Sequence, residues 1–190
     1  MTLSNKDQQF LLKLSRNALE HIFKIGTELT VKDSDIPSLL LEKKATFVTL
    51  TKNGELRGCI GKLLPIKELC RDVLENTYSA AFADPRFPQL SKDELKDLHI
   101  EISVLDKPNE LHYENTSDLV QKLEKGKQGV ILEFGLYSAT FLPQVWDDLP
   151  KADEFLSHLC RKAGLSADTW KKGKMNIQTY SVLKFSESNV

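Results

Sequence analysis

Cysteine is scarce in this chain of 190 residues: Cys59, Cys70 and Cys160 are the only three, and no two of them form a C-x-x-C pair. An odd count without such pairs argues against a disulfide framework and against a zinc ribbon, so free thiols are expected. Histidine is limited to four positions. His21 and His112 have no ligand-like neighbours, and His158 and Cys160 stand two apart on a helix, pointing in opposed directions. No metal and no other cofactor is expected. Neither charge is in surplus, with 26 Lys and Arg against 27 Asp and Glu. A general nucleic-acid or anionic-membrane binder would show a basic excess, so neither partner class is favoured. There is no apolar run of the roughly 18 residues a membrane helix needs, and MTLSNKDQQF lacks the apolar stretch of a signal peptide. A cytoplasmic protein is the expectation. Internal repeats and low-complexity tracts are also missing.

What is present suits one soluble globular domain, because 41% hydrophobic and 28% charged residues allow a core and argue against disorder. Leu11, Leu14, Ala18, Ile22 and Ile25 recur at helical spacing before Gly26, which predicts a helix over 5–25. Pro37 opens a short helical turn. ATFVTLT and ELRGCIG flank Asn53-Gly54, the strongest short hairpin signal, and should pair as antiparallel strands. From Pro65 to Phe82, Ile66, Leu69, Cys70, Val73, Leu74, Thr77 and Ala81 follow one helix face. Ser91 with Glu94 reads as a capping box opening a short helix. HIEISVL alternates as a strand, with Ile100, Ile102 and Val104 inward and His99, Glu101 and Ser103 outward. A helix over 117–125 precedes GVILEF, a turn at Gly135 and a further strand, YSATFL. Phe155, Leu156, Leu159, Cys160 and Ala163 share a helix face, so Cys160, like Cys70, reads as core. A turn around Trp170 precedes one last strand, NIQTYSVLKF. Hairpins with interspersed helices indicate an α+β fold, a mainly antiparallel sheet flanked by helices.

One strand carries an unusual combination. In ELRGCIG strict alternation puts Arg57, Cys59 and Gly61 on one face and Leu56, Gly58 and Ile60 on the other. Gly58 and Gly61 add no side chain, which marks close approach by another backbone or by a ligand. A neighbouring cation favours the thiolate, so Cys59 can be read as a nucleophile or redox thiol, or as a small residue filling space beside two glycines. Asp84 and Arg86 lie on DPRFP, a loop stiffened by two prolines. Arg57 and Arg86 can be read as a clamp on a carboxylate or phosphate, or Asp84 and Arg86 as a local ion pair holding their own loop.

LRGCIG, DPRFPQL, HIEISVL and the run GVILEFGLYSATFLPQVWDDLP with HLCRKAGL resemble, in order and spacing, the AMMECR family, whose prokaryotic members are called AmmeMemoRadiSam system protein A. The resemblance spans about residues 8–186. It implies a two-lobed α+β fold with a cleft, one AMMECR-type domain over the whole chain, and association with Memo-like and radical SAM proteins. It assigns no reaction. Lys62 after the motif is a small departure.

The remaining constellations have plain readings. His99 and Glu101 share a strand face, as an acid/base pair or as the solvated side of a sheet. Arg161, Lys162, Lys171, Lys172 and Lys174 form a basic run that docks an acidic partner or is a solvated surface. Phe141, Val145 and Trp146 form an exposed apolar contact surface or core. Two functions from different classes follow. The favoured one is a small enzyme or enzyme subunit in which Cys59 and Arg57 act on an anionic or carbonyl-bearing molecule, with Gly58, Gly61, Asp84 and Arg86 at the binding site. The alternative is a noncatalytic module presenting the LRGCIG hairpin and the LPQVW loop to a Memo-like or radical SAM partner.

Overall fold

The computed structural model describes residues 3–172 and 174–187. These fall into two compact units, one running through Leu105 and resuming at Leu183, the other Asp106–Val182. Each holds a four-stranded antiparallel sheet, with strands in the spatial order 55–61, 45–52, 98–105, 182–186 in the first and 109–110, 176–180, 129–134, 137–141 in the second.

In the first unit, α1 (Asn5–Ile25) starts at a reciprocal cap between Ser4 and Asp7 and stops at Gly26, whose φ of 87° is the left-handed conformation that suits glycine. Strands β1 (Ala45–Lys52) and β2 (Glu55–Gly61) form the expected hairpin. Asn53 and Gly54 both have positive φ, 54° and 84°, as the turn that matches strand twist requires. β3 (Leu98–Leu105) lies along the other side of β1, from Ala45↔Leu105 to Lys52↔Leu98. Helices α1 and α2 (Leu69–Phe82) bury Leu11, Leu19, Cys70 and Val73 with Val48, Leu50, Ile100 and Ile102 of the sheet. The other face of these strands carries the half-buried Thr49, Cys59, His99, Glu101 and Ser103.

The helix expected from Pro65 begins only at Leu69, and Ile66 is 61% exposed rather than part of the buried stripe. Long-range pairing decides this, because Lys44 donates its amide to the Lys67 carbonyl, Lys43 bridges Glu68, and the Leu69 amide goes to Glu42. These bonds hold Glu68 in an isolated β-bridge and out of the helix. The turn after Ser91 is a 3-10 helix, Lys92–Asp97.

In the second unit, β4 (Asn109–Glu110), α3 (Thr116–Gly126), β5 (Gly129–Phe134) and β6 (Tyr137–Phe141) precede a short α4 (Val145–Asp148), then α5 (Ala152–Lys162) and α6 (Thr169–Lys172). Trp146 stacks on Phe155 with ring centroids 3.9 Å apart, and both rings are buried with Leu119, Leu132 and Leu159. Trp146 is thus core and not a contact surface. The last expected strand is divided: β7 (Asn176–Tyr180) joins the second sheet and β8 (Val182–Ser186) the first.

Candidate functional site

The two glycines of ELRGCIG are explained by backbone. A β-carbon on Gly58 would stand 2.1 Å from the Ala80 carbonyl oxygen of α2, and one on Gly61 would stand 2.3 Å from the Thr46 carbonyl oxygen and from the Phe47 ring. β2 therefore packs directly against α2 and its own hairpin partner.

Register then separates the arginine from the thiol. Leu50 pairs with Gly58 but Thr51 pairs with Leu56, so Arg57 is the extra residue of a bulge. The shared face expected for Arg57 and Cys59 assumes unbroken alternation, and the bulge breaks it. The Arg57 guanidinium goes instead to Glu94, Nε to Oε1 at 2.9 Å and Nη2 to Oε2 at 3.0 Å, with Nη2 also 3.3 Å from the Gln89 carbonyl. Arg57 is only 9% exposed, and its Nη1 is buried without a partner among the described residues. Lys52 adds a bond to Glu94 at 3.1 Å, and the Ser91 amide adds another at 3.0 Å. Chiefly through Arg57, and against the cost of its burial, the Glu94 carboxyl is held well below the usual carboxylate range.

Arg86 takes the place beside the thiol. Asp84 accepts the Cys59 amide at 2.9 Å through Oδ2, and Arg86 donates Nη2 to the Cys59 carbonyl at 3.1 Å. The two side chains hold each other, Arg86 Nη2 to Asp84 Oδ2 at 2.7 Å and Nε to Oδ1 at 3.0 Å. They cover the open edge of β2 much as a neighbouring strand would. Asp84 is almost fully buried, whereas the Arg86 side chain is 54% exposed over the Phe87 ring. Arg86 foremost holds the Asp84 carboxyl well below its ordinary range, burial working against it and the Cys59 amide with it. Asp84 in turn raises the Arg86 pKa, and the Cys59 thiol contributes in the same direction. Arg57 and Arg86 thus belong to two separate ion pairs, on Glu94 and on Asp84.

On the sheet, Thr49 stands directly opposite Cys59 and donates its hydroxyl to the sulfur at 3.3 Å. Thr49 and Glu94 are the two site residues that sequence reasoning passed over. Counted back along both strands, the Asn53-Gly54 turn pairs Thr49 with Gly58; only the bulge at Arg57 brings Thr49 opposite Cys59, so nothing local marks the first. Glu94 was visible only as a cap. Cys59 is half-buried, while Cys70 and Cys160 are buried with thiol pKa values raised by burial. Lys62, the departure after the motif, pairs with Glu75 of α2 at 2.6 Å. Among the described residues no group of three or more His, Cys, Asp or Glu is placed to hold a metal ion, and no helix is long and apolar enough to cross a membrane.

The AMMECR1 family model matches residues 12–185, nearly the full length of the chain. The chain belongs to the AMMECR1 family. Protein MK0488 of Methanopyrus kandleri is 39% identical to it over 193 residues, covering 97% of this chain and 90% of that protein. A protein of Methanothermobacter thermautotrophicus is 36% identical over 190 residues, with 97% and 96% covered. Among solved structures, the chain is similar to "Uncharacterized Protein PH0010 From Pyrococcus horikoshii", with a TM-score of 0.83, 33% identity, and 98% and 94% of the two chains covered.

Proposed function

We propose that this AMMECR1-family protein is a small enzyme or enzyme subunit whose Cys59 sulfur adds to an electrophilic carbon of an anionic or carbonyl-bearing small molecule, as the carbonyl π pair moves to oxygen or a leaving group departs and the thiol proton passes to solvent. The observation that carries this reading is the pairing of the half-buried thiol with an exposed guanidinium that is locked in place. Arg86 cannot swing away without breaking its bonds to Asp84 and to the Cys59 carbonyl. Its outer side is left to meet a carboxylate or phosphate, as guanidinium groups do. Thr49 donates to the sulfur and so orients it on the sheet face. Arg57, paired with Glu94, positions β2 and does not touch the reacting atoms.

Two haloacetyl reagents test this, each forming an S–C bond as iodide leaves and the thiol proton passes to solvent. Cys59 should be modified well before Cys70 and Cys160 in the native protein. Anionic iodoacetate should gain on neutral iodoacetamide at Cys59 relative to a free thiol, and Arg86→Gln should remove that gain. Peptide mapping that finds Cys59 as inert as the other two, or a reagent ratio unchanged in Arg86→Gln, would overturn the reading.

A binding-module reading has its own support in exposed apolar side chains. Leu56 at the start of β2 is 44% exposed, and at the tip between β5 and β6 Leu136 is fully exposed beside Phe134 and Tyr137. These surfaces, with Trp146 buried in the second core, are the ones a Memo-like or radical SAM partner would cover. Leu136→Ser abolishing capture of such a partner, with Cys59 unreactive, would favour this alternative.

A further inference from the structure

The strand register extends the site beyond Cys59. Thr49 faces Cys59 on one side and Glu101 of β3 on the other, so the three side chains form a row across one face of the sheet. Two strand spacings separate Cys59 from Glu101, about 10 Å. At the far end of the row Lys184 of β8 holds Glu101 through Oε2 at 2.9 Å. Glu101 keeps its other oxygen as an acceptor, and its side chain is 26% exposed. At the near end stands Arg86, its guanidinium fixed by the buried Asp84. The row thus presents a cation at one end, a thiol and a hydroxyl in the middle, and a carboxylate at the other end, all within the first unit.

We propose that this row binds a small molecule carrying an acidic group at one end and an ammonium group at the other, an amino-acid-like substrate class. The acid meets Arg86, the ammonium meets Glu101, and the chain between them lies over Thr49 and Cys59. The inference rests on Arg86 as the anion site of the proposed function and adds Glu101 as a specificity-determining residue. Lys184 becomes a positioning residue and a competitor, since it occupies the same carboxylate that the ammonium seeks. Arg86 and Glu101 read different ends, so their variants should fail differently. A solvated polar sheet face offers no such discrimination.

The test uses 6-aminohexanoate, with hexanoate and hexylamine as single-ended probes, at constant ionic strength. Binding is followed by ligand-observed NMR on the full-length Cys59→Ser variant, so that thiol chemistry plays no part. 6-Aminohexanoate should bind several-fold more tightly than either single-ended probe. Glu101→Gln should bring its affinity down to that of hexanoate, and Arg86→Gln should weaken both acids. Lys184→Gln, by freeing the Glu101 carboxylate, should increase the preference for 6-aminohexanoate. Thermal melts confirm that each variant remains folded. Equal affinity for hexanoate and 6-aminohexanoate, absence of binding by all three probes, or a preference untouched by Glu101→Gln and Lys184→Gln would overturn the proposal. The alkylation order of Cys59 is read in a separate experiment, so the nucleophile can fail with the row intact, and the row with the nucleophile intact.

Discussion

A β-carbon at position 58 would press on a backbone carbonyl of α2, which cannot yield as a flexible side chain would. Gly58→Ala is expected to cost about 1–3 kcal/mol by forcing strand and helix apart, measured as a lower urea midpoint at constant slope. The neighbouring ion pair makes a second test. Glu94→Gln leaves Arg57 buried without its counter-charge and is expected to cost about 3–5 kcal/mol, whereas replacing both Arg57 and Glu94 by methionine should cost less. A double variant weaker than the single would show that the charge itself is not the problem. Sequence reasoning saw Glu94 as a cap because its Ser91 partner is three residues away; its bond to Arg57 spans 37 residues and leaves no local mark.

At the scale of the element, β2 is an edge strand, and its Cys59 amide and carbonyl are covered by the Asp84 and Arg86 side chains. Asp84 has a lower pKa folded than unfolded, so its stabilisation is present at neutral pH and is lost as pH falls through and below about 4. Asp84→Asn should therefore be less stable than wild type at pH 7, and the gap should narrow toward pH 3 in denaturant melts. A gap independent of pH would show that shape at this edge matters more than charge. The DPRFP loop was legible as a rigid acid-bearing turn, but its object was not. Nothing within the loop names the edge it covers.

For the whole molecule, the two buried clusters make a physical partition measurable. Both tryptophans, Trp146 and Trp170, lie in the second core, so intrinsic fluorescence reports that unit. Phe155→Ala removes a fully buried ring stacked on Trp146 and is expected to destabilise that unit by about 3–5 kcal/mol. Fluorescence should then be lost before the helical circular dichroism signal, to which α1 and α2 of the first unit contribute. Coincident loss by both probes would mean that the units unfold as one cooperative block.

The sequence by itself determined the pieces whose causes are local. The Asn53-Gly54 turn, the Gly26 stop of α1, the alternation of β3 and the buried stripe of α5 each depend on residues within a few positions of one another. So did the scarcity of cysteine and the balance of charge. Tertiary structure alone decided which sheet each strand joins, dividing 176–186 between two sheets although its strand pattern runs on through Ser181. It decided where α2 begins, since the partners of 67–69 lie at Glu42, Lys43 and Lys44. It also set Arg86 rather than Arg57 beside Cys59, through one unpaired residue in the hairpin register. Local periodicity follows from backbone geometry and is written along the chain, whereas a bulge and its ion pairs arise only when distant segments compete for the same hydrogen bonds.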